Sequence, residues 1–123
     1  MRKKILVVED DSDIQCLLRF FVQSAGHDVE IVSSGEVVVN RIREQSAPHL
    51  ILLDRMLPGR SGAEILSCIR HSDRWRHVPV LIVSALADKR DIETLLSRGA
   101  AGYLTKPFIP SVMVRSINNI LSL

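Results

Sequence analysis

Short apolar runs alternate with helix-period segments along this chain, and that alternation constrains its fold more than any other feature. Ile5 to Val8 form a continuous, β-branched run, as expected of a strand buried on both faces. Beyond Asp11-Ser12-Asp13, apolar residues recur at Ile14, Leu17, Leu18, Phe21, Val22 and Ala25. These lie on one face of an α-helix, with Ser12 or Asp13 as the expected N-cap and Gly26 as the stop. Val29, Ile31 and Val32 read as a second strand, and Ser34-Gly35 opens a helix through Val37, Val38, Arg41 and Ile42 that ends before Pro48. Leu50 to Leu53 form a third strand terminated by Asp54. Pro58-Gly59 and Ser61-Gly62 mark a loop, followed by a helix carrying Ile65, Leu66 and Ile69. Pro79 introduces a fourth strand, Val80 to Val83, which ends at Ser84; the next helix carries Ile92, Leu95 and Leu96 and stops at Gly99. Tyr103 and Leu104 belong to a short fifth strand closed by Lys106-Pro107, and a last helix carries Met113, Ile117, Ile120 and Leu121.

Five β–α units in 123 residues imply an α/β domain with a parallel sheet and helices on both faces. Residues 1–123 read as one domain, with no linker, repeat or low-complexity segment. An apolar fraction of 46% and a charged fraction of 24% suit a globular protein, and a formal charge of +2 is too small to argue for a polyanionic partner. No apolar run approaches the roughly 20 residues of a membrane span. The apolar run after the basic start ends at Glu9-Asp10-Asp11, too early for a secretory leader, so a cytoplasmic location is expected. Cys16 and Cys68 show no metal-type spacing and are expected to be free, buried thiols. His71 and His77, with Arg70, Arg74, Trp75 and Arg76, read as a solvated polar loop.

In a parallel α/β sheet, ligands bind at the carboxyl ends of the strands, which selects the polar residues that matter. The first strand ends at Glu9-Asp10-Asp11, the third at Asp54, the fourth at Ser84 and the fifth at Thr105-Lys106. Any one of these could merely cap a strand or helix; the set is poorly explained that way. Clustered carboxylates repel one another, and a hard divalent cation such as Mg²⁺ relieves that repulsion. The same cation neutralises phosphoryl oxygens during in-line transfer, while Lys106 offers a point charge and Ser84 a hydrogen-bond donor.

Four segments carry a resemblance. They are Ile5-Leu6-Val7-Val8-Glu9-Asp10-Asp11, Leu53 through Gly62 (LDRMLPGRSG), Val83-Ser84-Ala85, and Gly102-Tyr103-Leu104-Thr105-Lys106-Pro107-Phe108. Each is weak alone; in this order and spacing they resemble the response-regulator receivers of two-component phosphorelays, over essentially the whole chain. The resemblance implies a CheY-like, flavodoxin-like doubly wound sheet of strand order 2-1-3-4-5 flanked by five helices. It implies that Asp54 is the phosphoacceptor and that Glu9 and Asp10 are the acidic pair. It also implies Mg²⁺ held by Asp10, Asp54 and the backbone carbonyl of Met56, with Asp11 outside the ligand set. Ser84 and Tyr103 match the switch residues, Lys106 the phosphoryl-binding lysine, and the bond from Lys106 to Pro107 is expected to be cis.

The implied partners are a sensor histidine kinase or phosphotransfer protein, with a small acyl phosphate as alternative donor. The implied output is a remodelled helix 4–strand 5–helix 5 face. Many DNA-binding receivers dimerise there through salt bridges, but the matching positions here are Ile92, Ala101, Gly102, Val112 and Ser116, none of them charged. Ile92 and Val112, joined by Ile109, would instead form an apolar docking patch for a partner or a homodimer. DNA would be reached only through an effector domain outside this chain. The domain is expected to be a phosphoacceptor that assists its own phosphorylation and dephosphorylation rather than an enzyme acting on others. A haloacid-dehalogenase-type phosphatase would need an acid where Met56 stands, and a nucleotide binder would need a glycine-rich loop after the first strand. A receiver-like scaffold that no longer uses phosphorylation is the remaining rival.

Overall fold

The computed structural model describes residues 2–86 and 88–122. Its elements run β1 (Lys4–Val8), α1 (Ser12–Ser24), β2 (Asp28–Val32), α2 (Gly35–Glu44), β3 (Leu50–Leu53), α3 (Gly62–Arg70), β4 (Val80–Ser84), α4 (Lys89–Ser97), β5 (Gly102–Thr105) and α5 (Pro110–Leu121). The strands pair in the order β2-β1-β3-β4-β5, as expected, and every pairing is parallel. The order reverses at β1, whose neighbours are β2 and β3, so a crevice opens beyond the carboxyl ends of β1 and β3.

The strands are apolar at nearly every position because both faces of the sheet are covered. Alternate residues divide into two cores. Leu6, Val8, Ile51, Leu53, Val80 and Ile82 pack with Val38 and Ile42 of α2, Ile65, Leu66 and Ile69 of α3, and Leu95 of α4. Ile5, Val7, Leu50, Leu52, Leu81 and Val83 face the other way, onto Leu18, Phe21 and Val22 of α1 and Met113 and Ile117 of α5. Full burial of such side chains contributes about 1.5–3 kcal/mol each, so the register that puts polar residues at the strand ends is strongly held.

Local signals account for most boundaries. Ser34, Ser61 and Asp88 cap α2, α3 and α4, each accepting a hydrogen bond from a first-turn amide. Pro110 opens α5, where its missing N–H costs nothing. Gly26 and Gly99 follow α1 and α4 with φ of 89° and 103°, the left-handed conformation that ends a helix most cheaply at glycine. The bond from Lys106 to Pro107 is cis.

Four sequence expectations are corrected. The N-cap of α1 is Asp11 rather than Ser12 or Asp13; its carboxylate accepts from the amides of Asp13 and Ile14. Leu17 lies on the outer side of α1, 46% exposed, beside the half-buried Ile14. Both cysteines are free thiols, but Cys16 is exposed and Cys68 is only half-buried, packed against the edge of the core. Trp75 is not part of a solvated loop: it is 1% exposed, and its indole N–H donates to the carbonyl of Gln45 at 3.1 Å. Arg74, Arg76 and His77 around it do face solvent. Arg70 is the last residue of α3 and binds carbonyls of Arg76, Val78 and Gly99, closing that end of the domain.

Candidate phosphorylation and metal site

β1 and β3 lie side by side, so their ends deliver Glu9-Asp10 and Asp54 to the same place. The Glu9 amide continues the ladder to the Val32 carbonyl at 3.1 Å, and the Asp54 amide to the Val8 carbonyl at 3.0 Å. Glu9 is 1% exposed. Its Oε2 accepts the amides of Asp10 (3.0 Å) and Asp11 (3.3 Å), and its Oε1 accepts from Lys106 Nζ at 2.5 Å. Asp54 is also buried. Its Oδ1 accepts the Met56 amide at 3.1 Å, while Oδ2 lies 3.3 Å from Lys106 Nζ. Asp10 projects into solvent.

Burial raises the Glu9 carboxyl to about pH 7, helped by Asp54 and opposed by Lys106. Burial also pulls the Lys106 ammonium down, but Glu9 and Asp54 outweigh it and the net shift is upward. One ammonium between two buried carboxylates therefore leaves the site short of positive charge.

Ser84 is buried at the end of β4, and its Oγ accepts the Leu86 amide at 3.3 Å. Its carbonyl accepts the Lys106 amide at 2.8 Å, which ties the serine strand to the lysine. Tyr103 is half-buried, and its hydroxyl donates to the Leu86 carbonyl at 2.5 Å. A cleft of about 700 Å³ runs along the site, lined by Asp10, Arg55, Met56, Arg60 and Leu86 among others.

The structure thus brings Glu9, Asp10, Asp54 and Lys106 into one cluster, with Ser84 joined to it through backbone. Tyr103 bonds to the β4–α4 loop. Ile92 and Val112 are half-buried and Ile109 is 64% exposed, so these three form no part of the cluster.

Sequence reading missed two contributors. Gly62 starts α3 so close to the end of β3 that a Cβ there would come within 2.8 Å of the Asp54 carbonyl oxygen. Only glycine permits that approach; in the sequence Ser61-Gly62 signals no more than a loop before a helix. Arg55, next to the central aspartate, reaches α4, where its Nη1 lies 3.0 Å from Asp91 Oδ2. Arg55 holds the Asp91 carboxyl below its usual range. No spacing rule links those two positions.

The residues fit a hard divalent cation. One carboxylate oxygen from each of Glu9, Asp10 and Asp54 lies within 4.8 Å of the others. Burial, with Asp54 beside it, raises the Glu9 carboxyl despite the contact with Lys106, so added positive charge would favour the ionised cluster. An all-oxygen donor set of this kind suits Mg²⁺.

Residues 5–118 match the family described as the response regulator receiver domain. The chain belongs to this family. It is 34% identical over 121 residues to the phosphate regulon transcriptional regulatory protein PhoB of Escherichia coli (strain K12), covering 98% of this chain and 52% of PhoB. The chain therefore spans about half the length of the curated relatives it matches. The BeF3-activated DrrB receiver domain superposes with a TM-score of 0.89 at 30% identity, covering all of both chains. The receiver domain of a sensor histidine kinase from Pseudomonas aeruginosa superposes with a TM-score of 0.88 at 29% identity, again covering all of both chains. In that structure a magnesium ion is coordinated in the active site cleft. This receiver is accordingly a phosphorylation-activated switch of two-component signalling. Among the described residues, no helix is long and apolar enough to cross a membrane.

Proposed function

We propose that Asp54 is the phosphoacceptor of this receiver. Its carboxylate oxygen attacks phosphorus in line, forming an acyl phosphate. The bond from phosphorus to the donor breaks, and the donor leaves as a neutral histidine or a free carboxylate. The observation that carries this reading is the position of Asp54: a buried carboxylate, 3.3 Å from Lys106 Nζ, within a cluster of acids at the switch point of the sheet.

Each neighbour has a role in the proposal. Asp10, Asp54 and the Met56 carbonyl hold Mg²⁺, with Glu9 completing the acidic pair. The metal, when bound, neutralises phosphoryl oxygens. Lys106 contacts the same oxygens as a fixed point charge. Ser84 exchanges the Leu86 amide for a phosphoryl oxygen, and Tyr103 turns inward, shifting the population between two packings of the α4–β5–α5 face. The patch of Ile92, Ile109 and Val112 then engages a partner or a second copy.

The phosphoryl donor is a sensor histidine kinase, a phosphotransfer protein or a small acyl phosphate, in the cytoplasm. Any contact with DNA would come through an effector domain outside this chain. Self-dephosphorylation is part of the reading and is slow, because Met56 and Leu86, which line the cleft, cannot hydrogen-bond an attacking water.

Intact-mass measurement with Mg²⁺ and acetyl phosphate tests the acceptor. One acid-labile phosphoryl group on the wild type and none on Asp54→Ala is the expected result. Equal modification of the two proteins would refute the assignment.

A further inference from the structure

Arg55 stands at a junction. Its backbone follows the buried Asp54, its side chain lines the cleft with Asp10 and Leu86, and its guanidinium meets Asp91 in the first turn of α4. The Tyr103 hydroxyl neighbours the same guanidinium. The contact with Asp91 is close in charge but poor in direction: Nη1 is shielded from solvent, 3.0 Å from Asp91 Oδ2, and makes no well-directed hydrogen bond. Asp91 is also 44% exposed, so water competes for its carboxylate. An ion pair of that kind is weak. A phosphoryl group brings about twice the negative charge and three acceptor oxygens, which suit the planar fork of arginine better than one exposed carboxylate does.

We propose that the Arg55–Asp91 ion pair is a charge latch that ties α4 to the loop after β3 before phosphorylation, and that a phosphoryl group on Asp54 draws Arg55 off Asp91 and releases α4. The proposal rests on the reading of Asp54 as acceptor. It adds a way for the modified residue's own neighbour to carry the event to α4, independently of Ser84. It also predicts an order of affinity within one side chain: Arg55 prefers Asp91 when Asp54 is bare and the phosphoryl oxygens when it is not.

Hydrogen–deuterium exchange of the α4 amides, Lys89 to Ser97, tests the latch in the whole chain with Mg²⁺, with and without acetyl phosphate. Unphosphorylated Asp91→Asn should exchange about two- to fivefold faster through α4 than the wild type, the range expected for a half-exposed ion pair. Arg55→Gln, which leaves α4 itself untouched, should do the same, and the double variant should go no further than either single one. Phosphorylated wild type should rise to the level of the variants, and the phosphorylated variants should show little additional rise. Unchanged α4 exchange in both single variants, additive effects in the double, or an equal phosphorylation-dependent rise in wild type and Asp91→Asn would overturn the latch. Intact mass of the same samples separates the two readings. Failure to modify the wild type refutes the acceptor assignment, whereas the unphosphorylated variants report on the ion pair alone.

Discussion

Lys106 and Glu9, ninety-seven positions apart in the chain, meet at 2.5 Å across the ends of β5 and β1. The same ammonium lies 3.3 Å from Asp54, so one cation is shared between two buried acids. Glu9 is the deeper of the two, at 1% exposure, and it carries the electrostatic strain of the arrangement.

That strain makes metal-free stability depend on pH. The folded Glu9 carboxyl titrates near 7, against 4.5 for its ordinary value. Well below pH 4.5, folded and unfolded chains both hold the proton and no penalty arises. As pH rises toward and through 7 the folded protein must accept a charge it disfavours, and stability falls. With Mg²⁺ chelated, urea unfolding should show a loss between pH 5 and 8 of up to about 3 kcal/mol. Glu9→Gln should remove most of that slope, and saturating Mg²⁺ should offset it in the wild type. Identical slopes for wild type and Glu9→Gln would contradict this.

The lifetime of the phosphorylated form provides a second expectation. Met56 is 63% exposed and Leu86 36% exposed, both beside the cleft and both apolar. Neither side chain offers a strong hydrogen-bonding group to a water. Met56→Asn and Leu86→Glu should each shorten the half-life of the acyl phosphate severalfold, read by loss of phosphoryl mass after removal of the donor. Unaltered decay in both variants would place the control of lifetime elsewhere.

A third expectation concerns the output face. Ile109 is 64% exposed and Leu96 42% exposed, with Ile92 and Val112 half-buried, so the face is apolar but only partly open. Phosphorylation should change association through this face, and Ile92→Glu should abolish the change. Sedimentation at low and high salt should give similar results, because exposed ion pairs contribute little there. A strong salt dependence would point instead to a charged interface.

A fourth expectation tests the packing beneath the α3–β4 loop. Trp75 is fully buried and its indole N–H is bonded, so Trp75→Ala should destabilise the domain by about 3–5 kcal/mol, as measured by urea unfolding followed by circular dichroism. A loss under about 1 kcal/mol would mean that the loop repacks around the gap.

Fold and cluster were largely legible before the structure, for physical reasons. Runs such as Leu50 to Leu53 are too apolar for anything but a doubly covered strand, and the polar residue that ends each run lies at the sheet edge. Trp75 was not legible, because the arginines and histidines around it outweigh one aromatic in any local window; it packs into the core that includes Ile42 and Ile69, and its indole N–H is satisfied by the Gln45 carbonyl thirty positions earlier. The outward turn of Cys16 and Leu17 depends on the roll of α1 over the sheet, which helical periodicity leaves open by a residue or so. Arg55–Asp91 and the approach of Gly62 to Asp54 are contacts between loops and helix starts, and no periodic pattern encodes those.

Leu86 is held by its main chain from both sides. Its N–H is bound by the Ser84 hydroxyl and its carbonyl by the Tyr103 hydroxyl. The two hydroxyls assigned to switching thus grip one residue whose side chain is free of that task and faces the cleft. On the roles proposed for these residues, persistence and propagation of the signal would be encoded in separable parts of a single amino acid. On that reading, exchanging the side chain at position 86 should reset how long the message lasts while leaving the wiring that relays it intact.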